Sequence, residues 1–295
     1  MQAVQTNTRI LLRNILVATD FSQASKLALP YAIALAGQYD AKLFIAHAIS
    51  PEPHLSVPLD PLPVEADPVF VEAERNLADF ARPELLRDTP HEEILERGDC
   101  WNVISDIIQR HNIDLIVAGT RGRQGVRKLV LGSNAEKIYR QADGPVLTIG
   151  PRVRSLKSGD WKIEQILFPT DGSNVSLSAL PHALSLAEEN QATLILVQLM
   201  PLVPPEYREG DEASSREALR ALVPAGAEAW CKPEFVVRFE FPAEGILRLA
   251  GHRNVDLIVM GVRKSSERTI AEHLPWAVAS QVVAEAQCPV LTVRG

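Results

Sequence analysis

A chain of 295 residues exceeds the roughly 100 to 150 residues of a typical single domain, so two compact units are expected. With 46% hydrophobic and 23% charged residues it has the make-up of a folded globular protein, which excludes disorder over most of its length. The net charge of −7 divides into −4 over residues 1–150 and −3 over the rest, so neither half has the basic balance that nucleic acid or an anionic membrane surface favours.

Residues 1–13 place polar residues before Arg9 and Arg13 and contain no long apolar stretch, which does not resemble a secretory leader. The longest apolar runs, such as 113–119 and 192–200, fall short of the roughly 20 residues that cross a bilayer, and a cytoplasmic protein is expected. Short apolar runs predict strands near 13–19, 42–49, 93–97, 114–119 and 145–149. Helical patterns near 23–38, 68–86, 101–111 and 133–141 fall between them, and Pro30 predicts a kink in the first. Residues 50–67 hold five prolines and predict an irregular excursion, either a loop or a lid. Residues 150–162 read as a linker, after which strands are predicted near 164–170, 193–199, 234–239, 256–261 and 290–294.

The second set of strands repeats the first. Asn14-Ile-Leu-Val-Ala-Thr-Asp20 matches Gln165-Ile-Leu-Phe-Pro-Thr-Asp171, and Pro30 matches Pro181 at the same offset of 151. Asp114-Leu-Ile-Val-Ala-Gly119 matches Asp256-Leu-Ile-Val-Met-Gly261 at an offset of 142, and Gly144-Pro-Val-Leu-Thr148 matches Cys288-Pro-Val-Leu-Thr292 at 144. The changes of offset fall in connections, where insertions are tolerated. Strands alternating with helices predict an α/β fold of two tandem Rossmann-like domains, 1–151 and 160–295, each a five-stranded parallel sheet flanked by helices.

Ligands of open parallel sheets bind at the carboxyl ends of the strands. There the fourth strand of the first repeat runs into Gly119-Thr-Arg121-Gly122-Arg123-Gln-Gly-Val-Arg127-Lys128-Leu-Val-Leu-Gly132-Ser133-Asn134. Glycines let a backbone approach a phosphate, a helix beginning at Ser133 offers unpaired N–H groups to an anion, and Arg121, Arg123, Arg127 and Lys128 add positive charge. Ser133 and Glu136 have the spacing of a capping box. A polyphosphate suits such a loop, although glycines and a cap also suffice merely to end a strand and begin a helix. P-loop spacing, GxGxxG, GxSxG and HExxH are all missing from the chain. Cys100, Cys231 and Cys288 form no CxxC and are expected to be reduced, buried thiols.

The spacing of one glycine, two residues, a second glycine, nine residues and Gly-Ser resembles the ATP-binding members of the universal stress protein (UspA-like) family. The resemblance extends over nearly all of both repeats and implies an adenine nucleotide alpha hydrolase-like fold. It also implies that Ala18, Thr19 and Asp20 lie beside a nucleotide and that Ala48, after His47, meets adenine through its backbone. Gly119, Gly122, Gly132, Ser133 and Asn134, with Arg121 and Arg123, would hold ribose and phosphates. Asp20 would help hold Mg²⁺ brought with ATP, or else cap the helix that follows it. His47, a lone histidine on an apolar strand, reads more readily as a core residue than as a ligand.

In the second repeat Lys264, Trp276 and Ala277 replace Gly122, Gly132 and Ser133, so one ATP per chain is expected. Three uses of it stay open: an ATP-binding stress-response regulator acting on an unknown protein partner, a slow ATPase or phosphotransferase, and a scaffold. Family resemblance further implies that the last strands, 145–149 and 289–293, pair as an internal pseudo-dimer, with a homodimer of chains as a further step.

Overall fold

Every apolar run forms a strand within two residues of its expected position. The computed structural model describes residues 10–50, 67–120, 133–156, 160–204, 208–263 and 273–295. The first repeat runs β1 (Asn14–Ala18), α1 (Gln23–Tyr39), β2 (Lys42–Ile49), α2 (Pro68–Phe80), α3 (Pro83–Leu86), β3 (His91–Arg97), α4 (Cys100–Arg110), β4 (Leu115–Gly119), α5 (Ser133–Gln141) and β5 (Val146–Ile149). The second runs β6 (Gln165–Pro169), α6 (Asn174–Leu177), α7 (Leu180–Asn190), β7 (Thr193–Met200), α8 (Arg208–Ala221), β8 (Lys232–Phe239), α9 (Pro242–His252), β9 (Leu257–Val262), α10 (His273–Glu285) and β10 (Val290–Arg294).

Among the described residues ten strands form one sheet in the order β3-β2-β1-β4-β5-β10-β9-β6-β7-β8. Each half is parallel with order 3-2-1-4-5, and the halves meet where β5 pairs antiparallel with β10, Leu147 opposite Leu291. The seam is closed reciprocally: Thr148 Oγ1 donates to the Val290 carbonyl at 3.0 Å and Thr292 Oγ1 to the Val146 carbonyl at 3.3 Å. Pairing the two last strands removes what would otherwise be an apolar free edge on each half.

Strand residues alternate between two buried faces, as in a sheet covered on both sides. Ile15, Val17, Leu43 and Ile45 pack under α1 and α2 in a core that continues through Leu147 and Leu291 into the second repeat under α7. On the other face Leu16, Phe44 and Ile116 pack with Ile104 and Ile107 of α4 and Ile138 of α5. Their counterparts Leu167, Ile195 and Ile258 pack under α9 and α10, joined by Tyr139 of α5.

Three local features add to or differ from expectation. The helix expected over 68–86 is two, because Arg82 precedes Pro83 and takes an extended ψ of 130°. Pro30 leaves α1 continuous, whereas its counterpart Pro181 stands in the first turn of α7, after a break that separates α7 from α6. The linker expected over 150–162 packs against the core where it is described: Val153 and the adjoining Ile163 are buried, Trp161 packs edge-on to Tyr31 at 5.0 Å, and the Tyr31 hydroxyl donates to the Arg154 carbonyl at 2.6 Å. The excursion expected over 50–67 lies almost wholly outside the described residues.

Candidate functional site

Strand order reverses between β1 and β4, from which the chain departs to opposite sides, and a crevice opens at their carboxyl ends. Ala18, Thr19, Asp20, Ala48 and Gly119 line a single cleft there, together with Ser25, Ala46, His47, Ala118 and Cys100. Ser133 and Asn134 open α5, whose Ala135 and Ile138 reach the same cleft. The side chains of Ser133, Asn134 and Glu136 lie outside the described part of the structure. So do Arg121, Gly122, Arg123 and Gly132.

The cleft exists because its floor is made of alanines. Ala18 sits beside Ala46 on β2 and beside Ala118 on β4, while Ala48 lies one pleat further along β2. All four belong to the face covered by α4 and α5, continuing the rows that begin with Leu16, Phe44 and Ile116. In the second repeat the matching register places Pro169 beside Val197, and the aligned residues are Val197 for Ala46, Leu199 for Ala48 and Met260 for Ala118. Leu199 fills space: a Cβ on Gly245 of α9 would lie 2.5 Å from its Cδ1. Val103 is the counterpart of Gly245, so the first repeat has a small strand residue and a larger helix residue, and the second has the reverse. Ala46 and Ala118 are floor positions beyond those expected from the sequence, and the two repeats aligned side by side carry their signal.

Gly119 has a reason to be glycine besides ligand access. A Cβ there would stand 2.1 Å from the Ala24 carbonyl oxygen of α1, and at Gly261 it would stand 2.0 Å from the Val175 carbonyl oxygen. Both glycines let the first helix of their repeat press onto the fourth strand, a demand that survives in the repeat whose floor is filled.

Asp20 has local partners. Its Oδ1 accepts from the Ser22 N–H at 3.0 Å and from Ser25 Oγ at 3.2 Å, while Ser22 itself caps α1. Asp171 repeats the turn, accepting from Ser173 N–H at 2.9 Å and Ser173 Oγ at 2.6 Å. Burial opposes ionisation of Asp171, but hydrogen bonds from Ser173 and Ser176 outweigh it and hold the carboxyl below its ordinary range. Hence the aspartate shapes the strand-to-helix turn in both repeats. Burial, reinforced by Asp99 and Asp20, pushes the Cys100 thiol up, so it keeps its proton. Among the described residues no group of three or more His, Cys, Asp or Glu is arranged to hold a metal ion.

The helices over the cleft are tied together by Asp99, which caps α4 through the N–H groups of Trp101 and Asn102 and pairs with Lys137 of α5 at 2.9 Å. That ion pair and the capping bonds hold the Asp99 carboxyl below its ordinary range. Phe241 takes this position in the second repeat, 65% exposed and without a capping bond to α9.

A model of the Universal stress protein family matches residues 12–150 and again 162–294. A universal stress protein of Methanocaldococcus jannaschii is 32% identical over 149 residues, covering 47% of this chain and 86% of its own length. One from Mycolicibacterium smegmatis is 25% identical over 297 residues, covering 95% of this chain and 96% of its own. The crystal structure of a universal stress protein from Archaeoglobus fulgidus superposes with a TM-score of 0.70 at 20% identity, covering 95% of this chain and 98% of that one, which shows a shared fold. Among the described residues no helix is long and apolar enough to cross a membrane. With two matches in tandem that together span most of its length, the chain belongs to the universal stress protein family.

Proposed function

We infer that the first repeat binds ATP in the cleft at the ends of β1, β2 and β4, that the second repeat does not, and that the chain is a nucleotide-responsive regulator of a stress response. The alanine floor carries this reading. Four small side chains at a strand-order reversal leave room for a flat ligand beside the start of a helix, where N–H groups favour anionic oxygens. The equivalent positions of the second repeat hold Pro169, Val197, Leu199 and Met260.

In this reading the backbone at Ala48 meets the base, and Asp20 stands near the phosphates and any Mg²⁺ they bring. Gly119, Arg121, Gly122, Arg123, Gly132, Ser133 and Asn134 form the ribose and phosphate side. Equilibrium dialysis with labelled ATP tests it. Wild-type protein should bind, and Ala48→Leu, which copies Leu199, should bind at least about 100-fold more weakly, equivalent to a loss of some 2.7 kcal/mol. A wild-type chain that does not retain ATP, or an Ala48→Leu chain that binds as well as wild type, overturns the assignment.

A further inference from the structure

Phe21 stands where the second repeat has Gly172. Each follows the aspartate at the end of the first strand of its repeat, and each lies in left-handed backbone, at φ +59° and +78°. Glycine enters that region freely, whereas the Cβ of a phenylalanine is crowded there. The second repeat makes the same turn without this strain, so the first retains Phe21 for what its side chain does.

The ring lies 4.3 Å from the imidazole of His47, centroid to centroid with the planes 32° apart, and 6.3 Å edge-on from Phe80 at the end of α2. By the alternation of β2, His47 shares its face with Leu43 and Ile45, the side of α1 and α2, while Ala46 and Ala48 face α4 and α5. Nδ1 of His47 lies 2.8 Å from the Thr19 carbonyl oxygen. A carbonyl only accepts, so Nδ1 carries the hydrogen and one tautomer is selected. Thr19 is held by further bonds, its N–H donating to the Ala46 carbonyl at 2.9 Å and its Oγ1 accepting from the Phe21 N–H at 3.0 Å and donating to Ser25 Oγ at 3.0 Å. Asp20 sits between these two anchored residues. Gln198 replaces His47 in the second repeat, so both rings are missing from the repeat whose cleft is filled.

We propose that Phe21 and His47 are positioning residues that clamp the β1–α1 turn, Phe21 from outside the cleft lining and His47 from a place that also borders the cleft, fixing Asp20 and the adjoining backbone for the bound nucleotide. The proposal rests on the nucleotide reading of the cleft and adds to it a device for holding the ligand's side of the turn. It also explains why a strained phenylalanine persists where glycine is the easier residue.

The experiment uses the full chain and ATP. Phe21→Gly, which copies Gly172, should weaken ATP binding roughly three- to tenfold, the loss of about one well-placed hydrogen bond. It should also release His47, seen in ¹⁵N-histidine spectra as loss of the single Nδ1–H tautomer. Phe21→Tyr keeps the stacked ring and should match wild type in both measurements. Should Phe21→Gly unfold, His47→Gln, which copies Gln198, takes its place with the same loss of affinity. The clamp is overturned by undiminished ATP affinity in the ring-less variant, by an unchanged histidine signature in Phe21→Gly, or by Phe21→Tyr binding as weakly as the glycine variant. A wild-type chain that binds no ATP instead overturns the nucleotide reading, and the histidine signature then decides by itself whether Phe21 fixes His47.

Discussion

The two repeats share strand order, register and the aspartate turn, yet diverge at the carboxyl ends of their strands. What both retain is what the fold requires: Gly119 and Gly261 admit a helix to the sheet, and Asp20 and Asp171 shape the turn before it. What only one repeat has concerns space. The alanine floor, the Asp99–Lys137 tie and the Phe21–His47 pair belong to the first repeat, while the second has larger floor residues and an uncapped Phe241 in their place. An internal duplicate thus separates what both copies of the fold share from what only one copy has, and in the proposed reading the second set serves a ligand.

The most severe way to break this division is to transplant the floor. Ala46→Val, Ala48→Leu and Ala118→Met together should abolish detectable ATP binding by calorimetry, while circular dichroism and cooperative unfolding persist, since Val197, Leu199 and Met260 already pack in the same register. Retained binding would remove the floor as the reason for the difference.

Glycine substitutions should affect the two halves alike. Gly119→Ala and Gly261→Ala each place a Cβ about 2 Å from a backbone oxygen of the neighbouring helix, and a helix must shift to relieve it. Each should cost about 3 kcal/mol in urea unfolding, at the upper end for overpacking. A Gly119→Ala chain as stable as wild type would mean that the glycine serves the ligand alone.

A smaller effect sharpens the comparison at the helix caps. Phe241→Asp gives α9 the cap that Asp99 gives α4 and should stabilise the protein by about 1 kcal/mol in thermal unfolding, while Asp99→Ala should lower the unfolding temperature. No gain from Phe241→Asp would show that the exposed ring contributes something the aspartate does not replace.

The smallest effect concerns Tyr31 and its counterpart His182, which share the core face of the sheet. Tyr31 finds the Arg154 carbonyl, whereas Nδ1 of His182 is buried without a hydrogen-bond partner, and burial lowers the pKa of His182 below its ordinary 6.5. The unfolded chain therefore takes up a proton near pH 6.5 that the folded chain still refuses. Stability falls as the pH drops through 6.5 towards the lower folded value and is fully present above it. His182→Leu should flatten that part of the stability profile, measured by urea unfolding between pH 8 and pH 5. A profile identical to wild type would assign the acid sensitivity elsewhere.

Much of this was legible before any coordinates. Strand positions followed from apolar runs such as Ile15–Val17, because a sheet buried on both faces needs continuous hydrophobicity, and the pairing of β5 with β10 agrees with what the family resemblance implied for two apolar last strands. The break at Arg82 was available in Pro83, but an apolar helical pattern on either side concealed it. The anchoring of the linker was hidden because serine, glycine and proline suggest a tether, while Val153, Trp161 and the adjoining Ile163 pack through contacts distant in sequence. At the site, Ala18, Thr19, Asp20, Ala48 and Gly119 do converge on one cleft. Ala46 and Ala118, the rest of its floor, were not legible because an alanine carries no chemistry of its own, and only register shows that it leaves a space.

The central claim is that two copies of one fold hold one nucleotide. Calorimetric titration of the nucleotide-free chain with ATP tests it most directly. Saturation at one equivalent per chain, lost in the floor-transplanted variant, is the predicted result; two equivalents, none, or one that survives the transplant would contradict it.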